Sequence, residues 1–257
     1  MSFKFTLLGT GSSMGVPRSD GFFGNCDPKN KKNYRTRCSA HISFGKYNIL
    51  IDTSPDLRHQ LLSNKIKSVD QVLYTHMHAD QTHGINDLRI FYLKQKKKIP
   101  VHCDKPTAEY LYKNFSYCFK KKYDYPAFLS IRNLKKNFIL GDSKKKIYIK
   151  AIKVKHGLID TIAYIINSKI AYVSDANEFY QKDYRHFRGL KYLIIDCLRF
   201  KKHPSHFSLD DVLTIVNTLK PKKTILTNLH SDLDYNQLLK ILPNNISPGF
   251  DGLRINI

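Results

Sequence analysis

The chain has 257 residues, 42% of them hydrophobic and 25% charged, with 43 Lys plus Arg against 21 Asp plus Glu and a formal net charge of +22. This composition excludes a disordered polyelectrolyte and a collagen-like fibre, and the length is enough for a substantial core. We expect one domain over residues 1–257. Because 33 of the basic residues are Lys, the excess indicates either a solvated surface or a field that attracts phosphate-bearing ligands.

The chain shows no pattern of export or membrane insertion. Its apolar runs are too short to span a bilayer, and residues 1–9 resemble a strand rather than a charged leader followed by an apolar stretch. The five Cys are odd in number and widely spaced, which is typical of free thiols in a reducing compartment. We therefore expect a cytoplasmic protein with no membrane partner.

Strand-like and helix-like runs alternate along the whole chain. Strands are predicted at 3–8, 40–44, 47–51, 99–102, 147–154, 162–167, 170–174, 192–196, 224–227 and 253–257, with a short apolar run at 69–75. Helices are predicted after Asp52, with Ser54 as N-cap and Pro55 in the first position, and at 85–94, 107–119, 177–187, 209–219 and 236–242. Many strands with interspersed helices favour mixed sheets with helices packed outside.

The strongest chemical signal is an H-x-H-x-D motif that follows the apolar run at 69–75. His76 and His78 are two residues apart, and in an extended chain such residues point to the same side, so both imidazoles can reach one metal ion. Asp80 is close enough to bind a second ion or to orient a water molecule. The pattern occurs by chance in roughly 3 of 100 such chains. The sequence therefore predicts a metal site here.

Other polar residues follow predicted strands in the same way. His156, Asp175, Asn228 and His230 each come after a strand-like run, where α/β and mixed-sheet proteins collect functional side chains. Alone, His156 would be read as a surface residue and Asp175 as a helix N-cap. Their joint placement downstream of H-x-H-x-D indicates a shared site.

Several segments, in order along nearly the whole chain, resemble the metallo-β-lactamase fold superfamily and within it the cyclic phosphodiesterase group. They are Leu8–Pro17, Ile51–Arg58, His76–Arg89, Ser174–Asp175, Asp196–Arg199, His203–His206 and Phe250–Gly252. The resemblance implies an α/β protein (α+β in some schemes), a four-layer αββα sandwich of two mixed sheets with a metal site at one edge. Relatives are often dimers, so a homodimer is a further expectation.

The resemblance also implies roles for individual residues around a divalent ion, Mn²⁺ or Zn²⁺. His76, His78, His156 and Asp175 match the ligands of the first metal, and Asp80 matches a ligand of the second, with Asp175 bridging the two. His206 matches the histidine that transfers a proton near the scissile phosphate.

Two departures from the family pattern fall in the second metal site. Gln81 and Asn228 stand where relatives usually carry histidines, and neutral carboxamides are weak ligands. We therefore expect one tight ion and a second site that is weak, absent or filled only with substrate. His83 or His230 would substitute if the loops differ. Only Cys26 remains of the cysteine cluster that binds structural zinc in some relatives, so we expect no such zinc.

The implied substrate is a small cyclic phosphate or a nucleotide. Arg35, Arg37, Arg89 and His203 are candidates to bind it, although the arginines are equally consistent with surface ion pairs. Two strand-end aspartates, Asp52 and Asp196, are interpreted as buttresses of the ligand loops. The turn Gly9–Ser13 is interpreted as packing beneath the metal loop, because no dinucleotide fingerprint follows it.

Three functions stay open at this stage. The first is a metal-dependent phosphodiesterase, in which Asp80 orients the attacking water and His206 protonates the leaving group. The second, less favoured, is an RNA-processing nuclease of the same fold, which the Lys content would suit. The third is a nucleotide-binding protein with a degraded second metal site. Retention of His206 and of a full first-site ligand set favours the enzyme.

Overall fold

Two mixed β-sheets face each other in the computed structural model, which describes residues 3–122 and 124–257. Met1, Ser2 and Tyr123 lie outside the described residues. The first sheet contains β1 (Lys4–Gly9), β2 (Ser39–Phe44), β3 (Tyr47–Ile51), β4 (Gln71–Leu73), β5 (Ile99–Cys103), β6 (Leu129–Asn133) and β15 (Arg254–Asn256). Its order is β15-β1-β2-β3-β4-β5-β6, antiparallel from β15 to β3 and parallel from β3 to β6.

The second sheet carries most of the residues that end near the predicted site. Its strands are β7 (Asn137–Gly141), β8 (Lys146–His156), β9 (Ile159–Ile166), β10 (Ile170–Val173), β11 (Glu178–Phe179), β12 (Tyr192–Asp196), β13 (Lys223–Thr227) and β14 (Ile246–Pro248). The order is β11-β8-β9-β10-β12-β13-β14, with β7 paired to β8. Strands β10, β12, β13 and β14 are parallel, and β8 runs in their direction because β9 is antiparallel to both β8 and β10.

Helices cover the outer faces of both sheets. The α-helices are α1 (Leu57–Ser63), α2 (Ala79–Thr82), α3 (Arg89–Gln95), α4 (Lys105–Asn114), α5 (Ser116–Phe119), α6 (Leu209–Leu219) and α7 (Tyr235–Ile241), and 3₁₀ turns lie at Lys31–Asn33, Ile85–Leu88 and Gln181–His186. No helix among the described residues has the length and apolar character that crossing a membrane would require.

The side chains of the central strands divide between the core that lies between the sheets and a core under the helices on the outer face of the same sheet. On β3, Ile49 and Ile51 enter the core between the sheets, whereas Leu50 packs under the helices that follow β3. On β12, Ile194 enters the central core, whereas Leu193 packs against the α6 side. Successive residues of a strand point to opposite faces, so sheets covered on both sides need this pattern. The result is the predicted four-layer αββα sandwich, which confirms the predicted fold class.

The elements with clear end signals match the prediction closely. Helix α6 covers residues 209–219 as predicted, because Ser208 and Asp211 form a capping box at its start. Strands β3 and β12 also have the predicted bounds. Helix α1 begins at Leu57 and not at Pro55, because the hydroxyl of Ser54 accepts from the Asp56 amide in a turn that precedes the helix.

One predicted helix is wrong. Residues 177–187 contain β11 and a 3₁₀ turn instead, since Glu178 and Phe179 pair with Lys155 and Val154 of β8. Phe179 is buried against other aromatic rings of the core, so tertiary packing overrides a weak helical pattern. The helices predicted at 85–94 and 107–119 are each divided in two, and β6, β7 and β14 were not predicted.

Candidate metal centre

The ends of β4, β8, β10, β12 and β13 lie together at one edge of the sandwich. The amide of Ile162 donates to the carbonyl of Thr75, and the Tyr164 hydroxyl donates to the carbonyl of Tyr74, so β9 of the second sheet holds the chain just before the H-x-H motif. These bonds fix the two sheets relative to each other where the predicted ligands leave their strands.

Three histidines converge at this edge with their ring nitrogens facing one another. His76 Nε2 lies 3.0 Å from His78 Nδ1, and the ring centroid of His156 is 5.3 Å from that of His76 and 5.2 Å from that of His78. One nitrogen from each ring lies within 4.8 Å of the others. His76 and His156 are buried while His78 is exposed, which leaves the site open on one side.

Asp52 orients His76 through Thr75. The Thr75 hydroxyl and amide both donate to the Asp52 carboxylate at 2.8 Å, so the hydroxyl oxygen is left to accept from His76 Nδ1 at 3.0 Å. The proton is thereby held on Nδ1, and the Nε2 lone pair faces the site. Asp52 is fully buried with φ 63°. Its interpretation as a buttress agrees with these contacts.

A backbone carbonyl does the same for His156. His156 Nδ1 donates to the carbonyl of Ser205 at 2.6 Å, which turns Nε2 toward the site. Burial, with the neighbouring His206 second, lowers the pKa of His156 to about 4, and burial lowers the pKa of His76 well below its usual value. Both rings are therefore neutral near pH 7, the form that binds a metal.

Asp175 joins the histidines through His156. Its carboxylate, His156 and His206 form a second group with ligand atoms within 4.8 Å of one another. The Thr161 hydroxyl donates to the Asp175 carbonyl at 2.6 Å and fixes the backbone there. Burial, followed by the charge of Asp80, raises the pKa of Asp175 to about 7. A cation beside this carboxylate would relieve both effects.

His206 is held by a buried carboxylate on the far side of the site. Its Nδ1 lies 2.7 Å from Asp196 Oδ2, and its ring centroid is 4.6 Å from that of His156. Burial alone would lower the pKa of His206, but the Asp196 charge and hydrogen bond raise it to about 9. Asp196 also accepts from the amide of Ala176, so it orients the chain after Asp175 as the buttress interpretation expects.

The two carboxamides contact Asp175 from two directions. Gln81 Nε2 lies 3.1 Å from Asp175 Oδ2, and Asn228 Nδ2 lies 3.3 Å from Asp175 Oδ1. Asp80 lies between His78 and Gln81 in the first turn of α2, and burial raises the pKa of its carboxyl. Gln81 and Asn228 therefore lie against Asp175, and Asp80 is near enough for its charge to raise the pKa of Asp175.

Neither substitute histidine faces the site. His230 Nδ1 lies 3.3 Å from Asp232, and His83 Nε2 lies 3.0 Å from the hydroxyl of Tyr110 on α4. Neither ring belongs to a metal-ligand group among the described residues. The prediction that His230 or His83 replaces a missing ligand is wrong for this arrangement, because local partners turn both rings away. His203, by contrast, lies beside His206 with ring centroids 5.1 Å apart.

The three arginines occupy different environments. Arg35 is 2% exposed, and its guanidinium donates to the carbonyls of His230 and Leu233, so its proposed role in substrate binding is wrong and it instead ties together two loops. Arg37 pairs with Asp56 at 2.7 Å. The guanidinium of Arg89 lies 3.8 Å from the ring centroid of Tyr125. Arg37 and Arg89 remain candidates at the surface.

Asp251 anchors the loop beneath the site, a role that the sequence did not predict. Its two oxygens accept from the amide and hydroxyl of Thr10 and from the amide and hydroxyl of Thr36. Gly11 in this loop forms bridges to Arg37 and to Leu229, the residue after Asn228. The Gly9–Ser13 turn thus packs beside the loop that carries Asn228, whereas we expected it beneath the metal loop. The Phe250–Gly252 motif was the only sequence signal for Asp251.

Residues 47–228 match the family described as the Beta-lactamase superfamily domain, so the chain belongs to that family and has the fold of its metal-dependent hydrolases. The similar solved structures include a diphosphatase from the PhnP family, at 29% identity and TM-score 0.89 over 100% of this chain and 98% of that one. Zinc-bound PqqB from Methylobacterium extorquens shares 13% identity at TM-score 0.79 over 99% and 100% of the two chains. Human tRNase Z, short form, shares 15% identity at TM-score 0.68 over 98% of each. The last two likenesses show the fold alone.

A curated relative is the protein named octanoyltransferase from Porphyromonas gingivalis (strain W83). It is 30% identical over 256 residues, which include 96% of this chain. The chain spans about half the length of that relative.

Proposed function

We propose that the protein is a divalent-metal-dependent phosphodiesterase acting on a small phosphate ester or a nucleotide, in the cytoplasm. The observation that carries this proposal is the convergence of His76, His78 and His156 beside Asp175, with His206 directly behind His156. The diphosphatase of the PhnP family, 29% identical, supports a phosphate ester as substrate.

The residues fit a divalent ion. Three neutral imidazole nitrogens and one carboxylate are a ligand set that suits Zn²⁺ and also Mn²⁺. The hydrogen bonds that His76 and His156 donate to the Thr75 hydroxyl and the Ser205 carbonyl already point their Nε2 atoms inward. An ion held there would activate a water molecule and neutralise charge on the phosphoryl oxygens.

Two surrounding side chains act on opposite ends of the reaction, one on the attacking water and one on the leaving group. Asp80, in the first turn of α2, accepts a hydrogen bond from the attacking water and aims it at phosphorus. His206, with Asp196 holding its Nδ1, is a donor at Nε2 and protonates the leaving alkoxide. A carboxylate that orients a histidine in this way fixes both its tautomer and its direction.

One other activity is favoured by the charge of the chain, and a second is suggested only by the name of a relative. The net charge of +22 suits RNA, which keeps a nuclease as the second candidate. The name octanoyltransferase belongs to a relative twice as long. We do not propose acyl transfer through a thiol here, because all five cysteines are buried.

The test is turnover of bis-(p-nitrophenyl) phosphate by protein loaded with Mn²⁺ or Zn²⁺, followed by a panel of cyclic nucleotides, dinucleoside diphosphates and a structured RNA. We expect diester cleavage, loss of both the ion and activity in His76→Ala, and neither loss in the control His59→Ala, whose ring is exposed outside the site. No cleavage of any diester by metal-loaded protein would refute the enzyme and leave a nucleotide-binding protein. Preference for the RNA would favour the nuclease.

A further inference from the structure

We propose that Gln81 and Asn228 close the second cation position by donating to both oxygens of Asp175, so that the centre works with a single ion. This inference rests on the proposed metal site and specifies how that site operates. The reason lies in where the two carboxamide groups point.

Gln81 is held rigidly against Asp175. It is fully buried, and its carbonyl accepts from the amide of Thr53 at 2.7 Å. Its Nε2 lies 3.1 Å from Asp175 Oδ2, while its Oε1 is buried without a partner. Reversing the amide would place Oε1 against a carboxylate oxygen, and two acceptors repel. The N–H end therefore faces Asp175.

Asn228 bridges two carboxylates. Its Nδ2 lies 3.3 Å from Asp175 Oδ1 and 3.2 Å from Asp196 Oδ1, and the group has two N–H donors to give. It also lies 3.1 Å from His206 Nδ1, whose proton is directed to Asp196. Asn228 has φ 59°, a left-handed conformation that Asn and His tolerate better than most residues.

These contacts take up part of the acceptor capacity of Asp175. Each carboxylate oxygen already accepts one N–H, so each oxygen keeps one lone pair for a cation or a further donor. A second cation between Asp80 and Asp175 would meet the positive ends of two amide dipoles. It would gain no imidazole from His83 or His230, because both rings face other partners.

The direct test is the number of ions per chain, which does not depend on activity. Wild-type protein equilibrated with excess Mn²⁺ and then desalted should hold about one ion by elemental analysis, with an uncoupled Mn²⁺ EPR spectrum. Gln81→His/Asn228→His should hold about two ions and show spin coupling. The control His83→Gln/His230→Asn, which removes the two histidines nearest in sequence, should stay at about one.

A second variant covers the case in which the double variant fails to fold. Gln81→Glu places a carboxylate next to Asp175, so Mn²⁺ should raise its melting temperature more than it raises that of the wild type. An equal rise would overturn the inference, as would two tight ions in the wild type or one ion in a folded double variant. A wild-type chain that holds no ion would overturn the proposed metal function as well, so the two failures are distinguishable.

Discussion

At the scale of single residues, hydrogen bonds decide what each histidine can do. The Nε2 atoms of His76 and His156 are directed inward by Thr75 and by the Ser205 carbonyl, whereas Asp196 keeps a proton on His206. In the proposed mechanism, the same kind of side chain is therefore a ligand or an acid according to the partner of its Nδ1.

This division predicts the effect of replacing the acid. His206→Gln should lower kcat toward diesters by about 10²–10⁴-fold, the usual contribution of a positioned general acid. The bound ion should be retained, because His76 and His78 are unchanged. The measurement is kcat together with metal content, and His59→Gln is the control, since its ring is exposed outside the site. Loss of the ion in His206→Gln would show that His206 is a ligand instead.

The sequence predicted the position of residues that have a fixed spacing better than the role of residues whose function depends on the orientation of the side chain. The H-x-H-x-D spacing places His76 and His78 beside each other in any extended chain, and the structure does so. Arg35 was misassigned because nothing in its neighbourhood signals burial, and His230 because its rotamer depends on Asp232. The inward direction of Gln81 and Asn228 was likewise outside the reach of sequence.

At the scale of elements, glycines permit the close contacts that position the ligand loops. Gly84 ends the segment that carries the H-x-H-x-D motif, and its amide donates to the carbonyl of Thr53. A Cβ added at Gly84 would lie 2.0 Å from the carbonyl oxygen of Ser54. The loop after β3 and the metal loop thus pack backbone against backbone at this point.

Gly84→Ala should therefore lower the free energy of unfolding by about 3 kcal/mol, because the overlap is with backbone that cannot rotate away. Urea unfolding measures this change. The control Gly21→Ala has φ 83° and open space around it, so it should cost about 1 kcal/mol from backbone strain alone. Equal losses in the two variants would contradict the steric explanation.

Element prediction succeeded where local and tertiary preferences agree. Helix α6 has a capping box and an apolar face, and β12 is a continuous apolar strand buried on both sides. The strand β7 was not predicted because its residues do not alternate clearly between buried and exposed, and among the described strands it pairs with β8 alone. β11 is two residues long and exists only because β8 offers a partner.

At the scale of the whole molecule, buried ionisable groups outside the metal site make stability depend on pH. His41 on β2 is 7% exposed, and its Nε2 lies 2.9 Å from Asn48 Oδ1 on β3. Burial, with a small effect of Lys4, lowers the pKa of His41 from 6.5 to about 4. The folded chain therefore keeps this ring neutral where the unfolded chain would protonate it.

Protons then bind preferentially to the unfolded state between pH 6.5 and 4. The stability that His41 contributes is present above pH 6.5 and is lost as the pH falls through about 4, a loss of about 3 kcal/mol. Urea unfolding of His41→Gln at pH 7 and pH 4.5 should show a smaller drop than that of the wild type. The exposed His59→Gln should drop as the wild type does, and an unchanged drop in His41→Gln would contradict the prediction.

The αββα sandwich was predicted from the resemblance of the ordered motifs to the metallo-β-lactamase fold superfamily, whereas the alternation of strands and helices alone predicted only mixed sheets with helices outside. The distribution of side chains among the three hydrophobic cores could not be predicted from the sequence. It depends on which face of each strand meets the other sheet, as for Ile49 and Leu50.

The hydrogen bond from His156 to the Ser205 carbonyl links a proposed metal ligand to the backbone next to the proposed proton donor. Ser205 immediately precedes His206, and Gly157 leaves space for it, because a Cβ there would lie 3.0 Å from the Ser205 side chain. A shift of Ser205 and His206 would therefore change the orientation of the His156 ring and the position of the His206 ring together. Substitutions at 157 and 205 should consequently show non-additive effects on kcat.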